Sequence, residues 1–311
     1  MSKVALLTLN WNNWEDSKNF LDSVFFLDYK NYDIIFIDNG SNDNSVDNLI
    51  SFLTNKNLDY KIIDENNTIE NISENSQFYI IKNDENLGYT GGFNKGLEFI
   101  LNNVKNYKFI WILNNDTVLN KSSLGNLVKC YYEAINKNIK VGALGTKILY
   151  PNGELQMLGG CTLYPIIGNS IFRKKDNERL DYISGASLFM PVDVVRYVGL
   201  FDERFFLYWD DADYGIRIQK KGYKIVYCSS CIIYHKEGGT AGRINKVNDY
   251  YWVRNGFLFT KKHYPYFLPF VFFSYFFKYT IVRKLKNLPF NFDAYVRGVK
   301  DFLTNKFGEI K

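Results

Sequence analysis

Hydrophobic positions in the first part of the chain fall into short runs separated by stretches with helical spacing. Residues 4–9, 33–37, 60–63, 78–81 and 108–113 are apolar runs too short for helices and read as strands. Residues 14–27, 45–53 and 91–102 carry apolar side chains at the three-to-four-residue spacing of amphipathic helices. Strands joined by helices predict a mostly parallel sheet with helices on both faces. Residues 64–77 are polar and Asn-rich, which reads as a surface insertion. Beyond about residue 140 the pattern changes. Residues 141–149, 161–167 and 182–190 read as strands with short connections, 210–221 as a helix and 224–234 as a strand. Two or three helices are expected from Lys246 to the end. No internal repeat and no Pro-, Gly- or Ser-rich linker divides the chain.

With 46% hydrophobic residues in a chain of 311, the core suffices for one large α/β domain plus an appendage. A net charge of +5 is too mild to argue for a nucleic-acid partner, and none is expected. Met1-Ser2-Lys3-Val4 runs directly into an apolar strand, so no secretory leader is expected. The four cysteines, 130, 161, 228 and 231, suit a reducing compartment. Cys228-Ser229-Ser230-Cys231 has a CxxC spacing, but it sits in a predicted strand. Residues three apart on a strand face opposite sides, so no redox or zinc role is expected.

Polar clusters end the strands or open the helices, where an open α/β sheet binds its ligands. Thr8-Leu9-Asn10 leaves the first strand and Asp38-Asn39-Gly40-Ser41 the second. An acid there accepts hydrogen bonds from a base or ribose, or simply makes the turn and caps the next helix. Asn86-Leu87-Gly88-Tyr89-Thr90-Gly91-Gly92-Phe93-Asn94-Lys95-Gly96 places glycines before a helix, either for close approach of a phosphate or for tight packing. Its spacing is neither that of a dinucleotide fingerprint nor that of a P-loop. Asn114-Asn115-Asp116 ends a strand with a carboxylate suited to a divalent cation or to a helix cap. Trp209-Asp210-Asp211-Ala212-Asp213 crowds three carboxylates among aromatic residues, which favours a raised pKa and a general base over an exposed helical turn. His235 ends the strand after that helix, where it is either structural or a ligand.

Taken in order, these segments resemble family 2 glycosyltransferases, especially the rhamnosyltransferase-like and galactofuranosyltransferase-like members, over residues 3–262. The resemblance implies the GT-A nucleotide-diphosphosugar transferase fold. It implies a catalytic domain over 1–245, with a nucleotide-binding half (1–118) and an acceptor-binding half (119–245), followed by a helical segment over 246–311. Asn114-Asn115-Asp116 stands where the family has its DxD motif, with Asn in the first position. That substitution removes one charge from the expected Mg2+ or Mn2+ site of Asp116, Asn114 and His235. Asp211 falls at the family's catalytic base. Thr8, Asn10, Asp38, Gly88, Gly91, Asn94 and Asn115 fall at nucleotide-contacting positions. Ser184-Gly185-Ala186-Ser187 resembles the acceptor-side motif, and Gly185, Trp209 and Asp210 are the expected sugar contacts. Tyr251-Trp252-Val253-Arg254-Asn255 resembles a helix of the rhamnosyltransferase-like group.

The implied reaction is inverting transfer from a UDP- or dTDP-sugar, rhamnose favoured, to a glycan or lipid-linked acceptor in cell-surface polysaccharide synthesis. A nucleotidyltransferase would carry a basic, Gly-rich loop after strand one, where this chain has Asn10-Trp11-Asn12-Asn13-Trp14. An inactive sugar-nucleotide-binding module would have no use for Asp116 and Asp211. The aromatic run of residues 263–277, flanked by lysines, is too short to span a bilayer. It is expected to lie in anionic headgroups on the cytoplasmic face of the membrane, or alternatively to form a buried helix or a homodimer interface.

Overall fold

The computed structural model describes residues 1–63, 69–70, 77–102, 107–236, 245–289 and 291–310. The first part runs β1 (Val4–Asn10), α1 (Trp14–Phe25), β2 (Tyr32–Asn39), α2 (Ser45–Asn55), β3 (Tyr60–Ile63), β4 (Ile69–Glu70), β5 (Phe78–Asn83) and α3 (Gly88–Asn102). It continues with β6 (Phe109–Asn114), β7 (Thr117–Leu119), α4 (Ser123–Asn136), β8 (Val141–Leu149), β9 (Leu155–Leu158), β10 (Gly160–Tyr164) and β11 (Asn169–Phe172). Then come β12 (Tyr182–Ile183), β13 (Ser187–Pro191), α5 (Val192–Val198), α6 (Asp210–Lys220) and β14 (Lys224–His235). The chain ends in α7 (Lys246–His263), α8 (Leu268–Phe277), a π-turn (Lys278–Val282), α9 (Arg283–Leu285) and α10 (Phe292–Leu303).

The main sheet has the order β4-β3-β5-β2-β1-β6-β13-β8-β14-β7, with β9 paired to β8. From β3 to β6 the neighbours are parallel, and β13 is antiparallel to both β6 and β8. The order reverses between β1 and β6, so the carboxyl ends of β1, β2 and β6 open on one crevice. Alternate residues of β1 explain the layering. Val4 and Leu6 face the core shared with α1, α2 and α4, while Ala5 and Leu7 face the one shared with α3, α5 and α6. A smaller sheet, β11-β10-β12, stands beside the main one.

Three sequence expectations shift. The expected strand 182–190 breaks at Ser184-Gly185-Ala186, because the Gly185 N–H bonds Asp211 and its carbonyl accepts from Tyr89, outside any ladder. The expected strand 161–167 ends at Tyr164, where Pro165 opens a 3-10 turn. Cys228 and Cys231 do not face opposite sides. The β8 register jumps between Cys228 and Ile232, and this bulge turns both buried thiols into one core. All four cysteines are free thiols. The expected insertion over 64–77 lies outside the described residues apart from Ile69–Glu70 and Gln77.

The C-terminal helices pack on the body rather than trailing from it. Val253 and Phe257 of α7 share a core with Val271 and Tyr275 of α8 and with Phe302 of α10. Beneath it, the buried Asp249 carboxylate binds Arg283 (2.6 Å) and Asn291 (2.6 Å). Among the described residues no helix is long and apolar enough to cross a membrane.

Candidate active site

At the ends of β1 and β2 the polar side chains satisfy one another. Asn10 donates to Asp38 Oδ1 (3.3 Å) and Ser41 Oγ (3.2 Å), and its own carbonyl accepts from Ser17 (2.8 Å) and Asn115 (3.2 Å). Asp38 Oδ2 accepts the Ser41 N–H (3.1 Å), so this acid makes the turn; Ser41 caps no helix, since Asn44 stands at the start of α2. Thr8 lies inside the sheet, and its buried hydroxyl finds no hydrogen-bond partner.

The glycine-rich segment begins its helix at Gly88, three residues before the expected start. Gly88 has φ +71°, and a Cβ there would run into Phe206 at 2.5 Å. This contact, with the Tyr89 N–H to Phe206 carbonyl bond (2.8 Å), fastens the first half of the chain to the loop before α6. Gly91 sits against Leu87, and Gly92 and Gly96 let α3 lie directly on Leu9 and Leu7, so their immediate surroundings are packing contacts. Asn94, expected near ribose or phosphate, is instead turned to the second half. Its amide donates to the Phe201 carbonyl (3.0 Å) and to Glu203 (2.8 Å), and its carbonyl accepts the Phe201 N–H (2.9 Å).

The turn from β6 to β7 presents Asn114, Asn115 and Asp116, all half-buried. Asn115 is tied down by Ser17 (2.8 Å) and Asn10. Asp116 Oδ1 is buried and receives no hydrogen bond, although His235 Nε2 lies 3.2 Å away. The reason is the far side of the ring, where His235 Nδ1 stands 2.8 Å from Gln156 Oε1. An amide oxygen only accepts, so Nδ1 carries a proton, and a ring with no second proton points its Nε2 lone pair at Asp116. Two facing lone pairs repel unless a cation lies between them. Adjacent ligands with bonds of about 2.1 Å at right angles stand about 3 Å apart, so the pair fits a divalent ion. Among the described residues no group of three or more His, Cys, Asp or Glu side chains is placed to hold a metal. Asp116 and His235 thus stand as a pair, which by itself is not a complete metal site. Residues 237–239, which follow His235, lie outside the described residues.

The acidic cluster starts from a strained backbone. Tyr208 (φ +65°) and Trp209 (φ +69°) are consecutive left-handed residues with large side chains. Helix α7 holds them there: Asn255 donates to the carbonyls of Leu207 (2.7 Å) and Tyr208 (3.4 Å), and Arg254 reaches the Arg204 carbonyl (3.3 Å). Trp209 is not the sugar platform expected. Its ring is buried against Trp252 and Phe259, and its N–H donates to the Trp252 carbonyl (3.1 Å).

The three carboxylates of α6 have separate fates. Burial and then the Asp211 charge push Asp210 well above the usual range. Burial raises Asp211 to about 6, against the pull of the Gly185 and Ala212 N–H groups. Burial also opposes ionisation of Asp213, yet His263 (2.6 Å), Arg217 (2.9 Å) and Lys262 (2.7 Å) together hold it below the ordinary value. Asp213 is thus a clasp between α6 and the end of α7.

One turn joins the metal-type pair to the raised acid. Asn114 N–H donates to the Ala186 carbonyl (3.3 Å), and the adjacent Gly185 N–H donates to Asp211 Oδ2 (3.2 Å). Asp116 and Asp211 therefore flank the same sheet edge. Sequence reasoning missed Gln156 and the Tyr89 hydroxyl, which donates to the Gly185 carbonyl (2.8 Å). The one sequence signal for Gln156 is a lone amide in a short apolar strand.

The model of the family described as "Glycosyl transferase family 2" matches residues 7–190. Over 132 residues the chain is 29% identical to the N-acetylglucosaminyl-diphospho-decaprenol L-rhamnosyltransferase of Mycobacterium tuberculosis, a match covering 36% of this chain and 42% of that enzyme. It is 23% identical over 212 residues to the low-salt glycan biosynthesis hexosyltransferase Agl10 of Haloferax volcanii, covering 65% of this chain and 66% of that one. Among solved structures, TarS 1-349 of S. aureus in complex with UDP-GlcNAc superposes with TM-score 0.61 at 14% identity, over 97% of this chain and 81% of that one. The mannosyltransferase PcManGT of Pyrobaculum calidifontis, with GDP-Man and Mn2+, gives 0.58 at 11% identity, over 98% and 88%.

Proposed function

Because the chain belongs to glycosyl transferase family 2, we propose that it is an inverting hexosyltransferase that moves a sugar, rhamnose favoured, from a UDP- or dTDP-linked donor to a glycan or lipid-linked oligosaccharide in cell-surface polysaccharide synthesis. Its fold is the GT-A nucleotide-diphosphosugar transferase fold. The observation that carries the proposal is a carboxylate raised to about 6 on the same edge as the facing Asp116–His235 pair. A base of that strength is ionised at neutral pH and still takes a proton well.

In this reading Asp211 removes the proton from the acceptor hydroxyl, and the oxygen attacks the anomeric carbon from the face opposite the leaving diphosphate. Asp210, pushed up by burial and by the Asp211 charge, resists carrying a second charge beside it. The Gly185 and Ala212 N–H groups aim the carboxylate. Asp116 and His235, with Asn114, would hold Mg2+ or Mn2+, which would offset the charge building on the leaving group. Thr8, Asn10, Asp38 and Asn115 lie on the nucleotide side, with Gly88 and Gly91 at the start of α3. Asn94 and Trp209 act as braces. The lipid-linked form of the acceptor is supported by the mycobacterial relative, an N-acetylglucosaminyl-diphospho-decaprenol L-rhamnosyltransferase.

A membrane surface fits the C-terminal helices. Tyr266, Phe270, Phe273, Phe277, Ile281 and Leu285 repeat every three or four residues and are exposed, Tyr266 to 89% and Phe273 to 78%. Residues 250–292 contain seven Lys or Arg and no Asp or Glu. This supports peripheral binding to anionic lipid on the cytoplasmic face. Co-sedimentation with phosphatidylglycerol vesicles tests it; a homodimer that ignores vesicles assigns the stripe to a second copy.

Calorimetry with UDP and dTDP, with and without Mn2+, tests the transferase reading. Metal-dependent binding of one nucleotide is expected, and binding of neither overturns it. A donor-hydrolysis screen over sugar nucleotides then identifies the sugar.

A further inference from the structure

A groove of about 560 Å³ runs between α8 with its π-turn and the turn Pro165–Ile167 that joins β10 to β11. Ile166, Ile167, Phe270, Phe273, Phe277 and Val282 wall it. The turn is locked in place from below. Tyr275 donates to the Gly168 carbonyl (2.6 Å), and at Gly168 (φ +60°) a Cβ would strike Val271 at 2.5 Å. The groove is thus pre-formed, apolar, and of a size that takes a small amphiphile.

Lys278 lines its polar end. The ammonium lies over the rings of Trp252 (5.4 Å) and Tyr279 (5.8 Å), and it makes no hydrogen bond or ion pair among the described residues. Burial, and then the charge of Arg283, push its pKa down. A cation so placed is costly unless an anion joins it. Trp252 does not line the groove; its ring lies behind the ammonium. A cation with no anionic partner among the described residues, at the end of an apolar trough, matches a ligand with one anionic head and one hydrocarbon tail. Trp252 also packs on Trp209 (5.1 Å), the residue before Asp210, so this polar end abuts the catalytic helix through two rings.

We propose that the groove binds the polyisoprenyl phosphate portion of a lipid-linked acceptor, with the tail along Ile167, Phe270 and Phe273 and the phosphate oxygens on Lys278. This rests on the transferase reading above and adds to it the place where the lipid sits. Tyr266, Ile281 and Leu285 of the exposed stripe lie outside the groove and suit a flat bilayer. The concave trough with its single sheltered cation suits one lipid molecule.

Farnesyl diphosphate is the probe, titrated into the full chain while tryptophan fluorescence is followed. Lys278→Gln and Ile167→Glu are expected to weaken it at least tenfold, with UDP affinity and far-UV dichroism unchanged to show that the variants fold. Inorganic diphosphate is expected to compete poorly, and UDP not at all. Equal affinity in wild type and both variants overturns the proposal, as does displacement by UDP, which puts the probe in the nucleotide site. Binding to phosphatidylglycerol vesicles without binding to monomeric farnesyl diphosphate also overturns it, in favour of a bilayer surface alone. A chain that binds UDP but not the probe loses the groove and keeps the transferase reading. Lys278-dependent probe binding without nucleotide binding does the reverse.

Discussion

The ends of β1 and β2 and the edge formed by β7, β14 and α6 lie along the same crevice, but they are built in opposite ways. Around Asn10, Asp38 and Asn115 the side-chain amides and the carboxylate find partners within the protein. Around Asp116 and Asp211 the chain leaves chemistry unresolved: an oxygen with no hydrogen bond among the described residues, a His nitrogen facing it at 3.2 Å, a raised acid and two left-handed aromatic residues. The first region has the mark of a scaffold that shapes a ligand pocket, the second that of groups which act on the ligand. Strain and unsatisfied groups persist only where other contacts enforce them. Here Asn255 and Arg254 of α7 do so.

The sharpest test of this contrast is Asp211→Asn, which keeps the shape and removes the base. Turnover is expected to fall by about 10²–10⁴-fold. In the wild type kcat/KM should drop with falling pH below about 6, because protonation removes the base. Asp210→Asn removes an acid that burial pushes toward its neutral form and should stay within about tenfold of wild type. An Asp211→Asn enzyme at full rate would falsify the assignment.

Asn94 tests the scaffold side. Asn94→Ala loses three hydrogen bonds that bridge α3 to residues 201–203. It also leaves buried backbone groups unpaired, at a cost of about 2–3 kcal/mol of stability. Thermal unfolding should show the loss, while UDP affinity of the folded variant should change less than about threefold. Unchanged stability with UDP binding weakened tenfold or more would return Asn94 to the ligand.

Gln156 tests the reactive side more gently. Gln156→Leu frees the His235 ring, and Mn2+ affinity of the UDP complex should fall about 10- to 100-fold. Titration followed by electron paramagnetic resonance reads this without turnover. Gln156→Glu still accepts from Nδ1 and should retain binding; a Leu variant with wild-type affinity would remove Gln156 from the site.

Much of the architecture was legible because strand and helix periodicities are local. The β1–α1–β2 pattern and the strand-end clusters follow from spacing alone. What stayed hidden depends on contacts between distant segments. Asn94 sits in a ligand-like motif, but its partners lie more than a hundred residues on. Trp209 has a sugar-stacking neighbourhood in sequence, yet a helix over forty residues later covers it. The bulge that brings Cys228 and Cys231 to one side is a property of strand pairing with β8, which no run of eleven letters reports. Gln156 was invisible because its meaning depends on which nitrogen of His235 it meets.

The smallest expected effect separates two acids on one helix by sign. An acid whose folded-state pKa is raised holds its proton more tightly folded than unfolded. For Asp211, stability therefore falls as pH rises from 3.8 to about 6, and the penalty is complete above that. Asp211→Asn removes the penalty, so at pH 7.5 the inactive variant should be the more stable one, a gain that vanishes near pH 4. Asp213 is lowered instead, so its contribution is present above its unfolded value and is lost as pH falls. Asp213→Asn strands His263, Lys262 and Arg217 and should lower Tm at pH 7.5. Opposite shifts in calorimetric Tm at neutral pH, converging in acid, are the expected pattern. Shifts of the same sign would mean that both acids are structural, and the contrast between scaffold and reactive edge would not extend into α6.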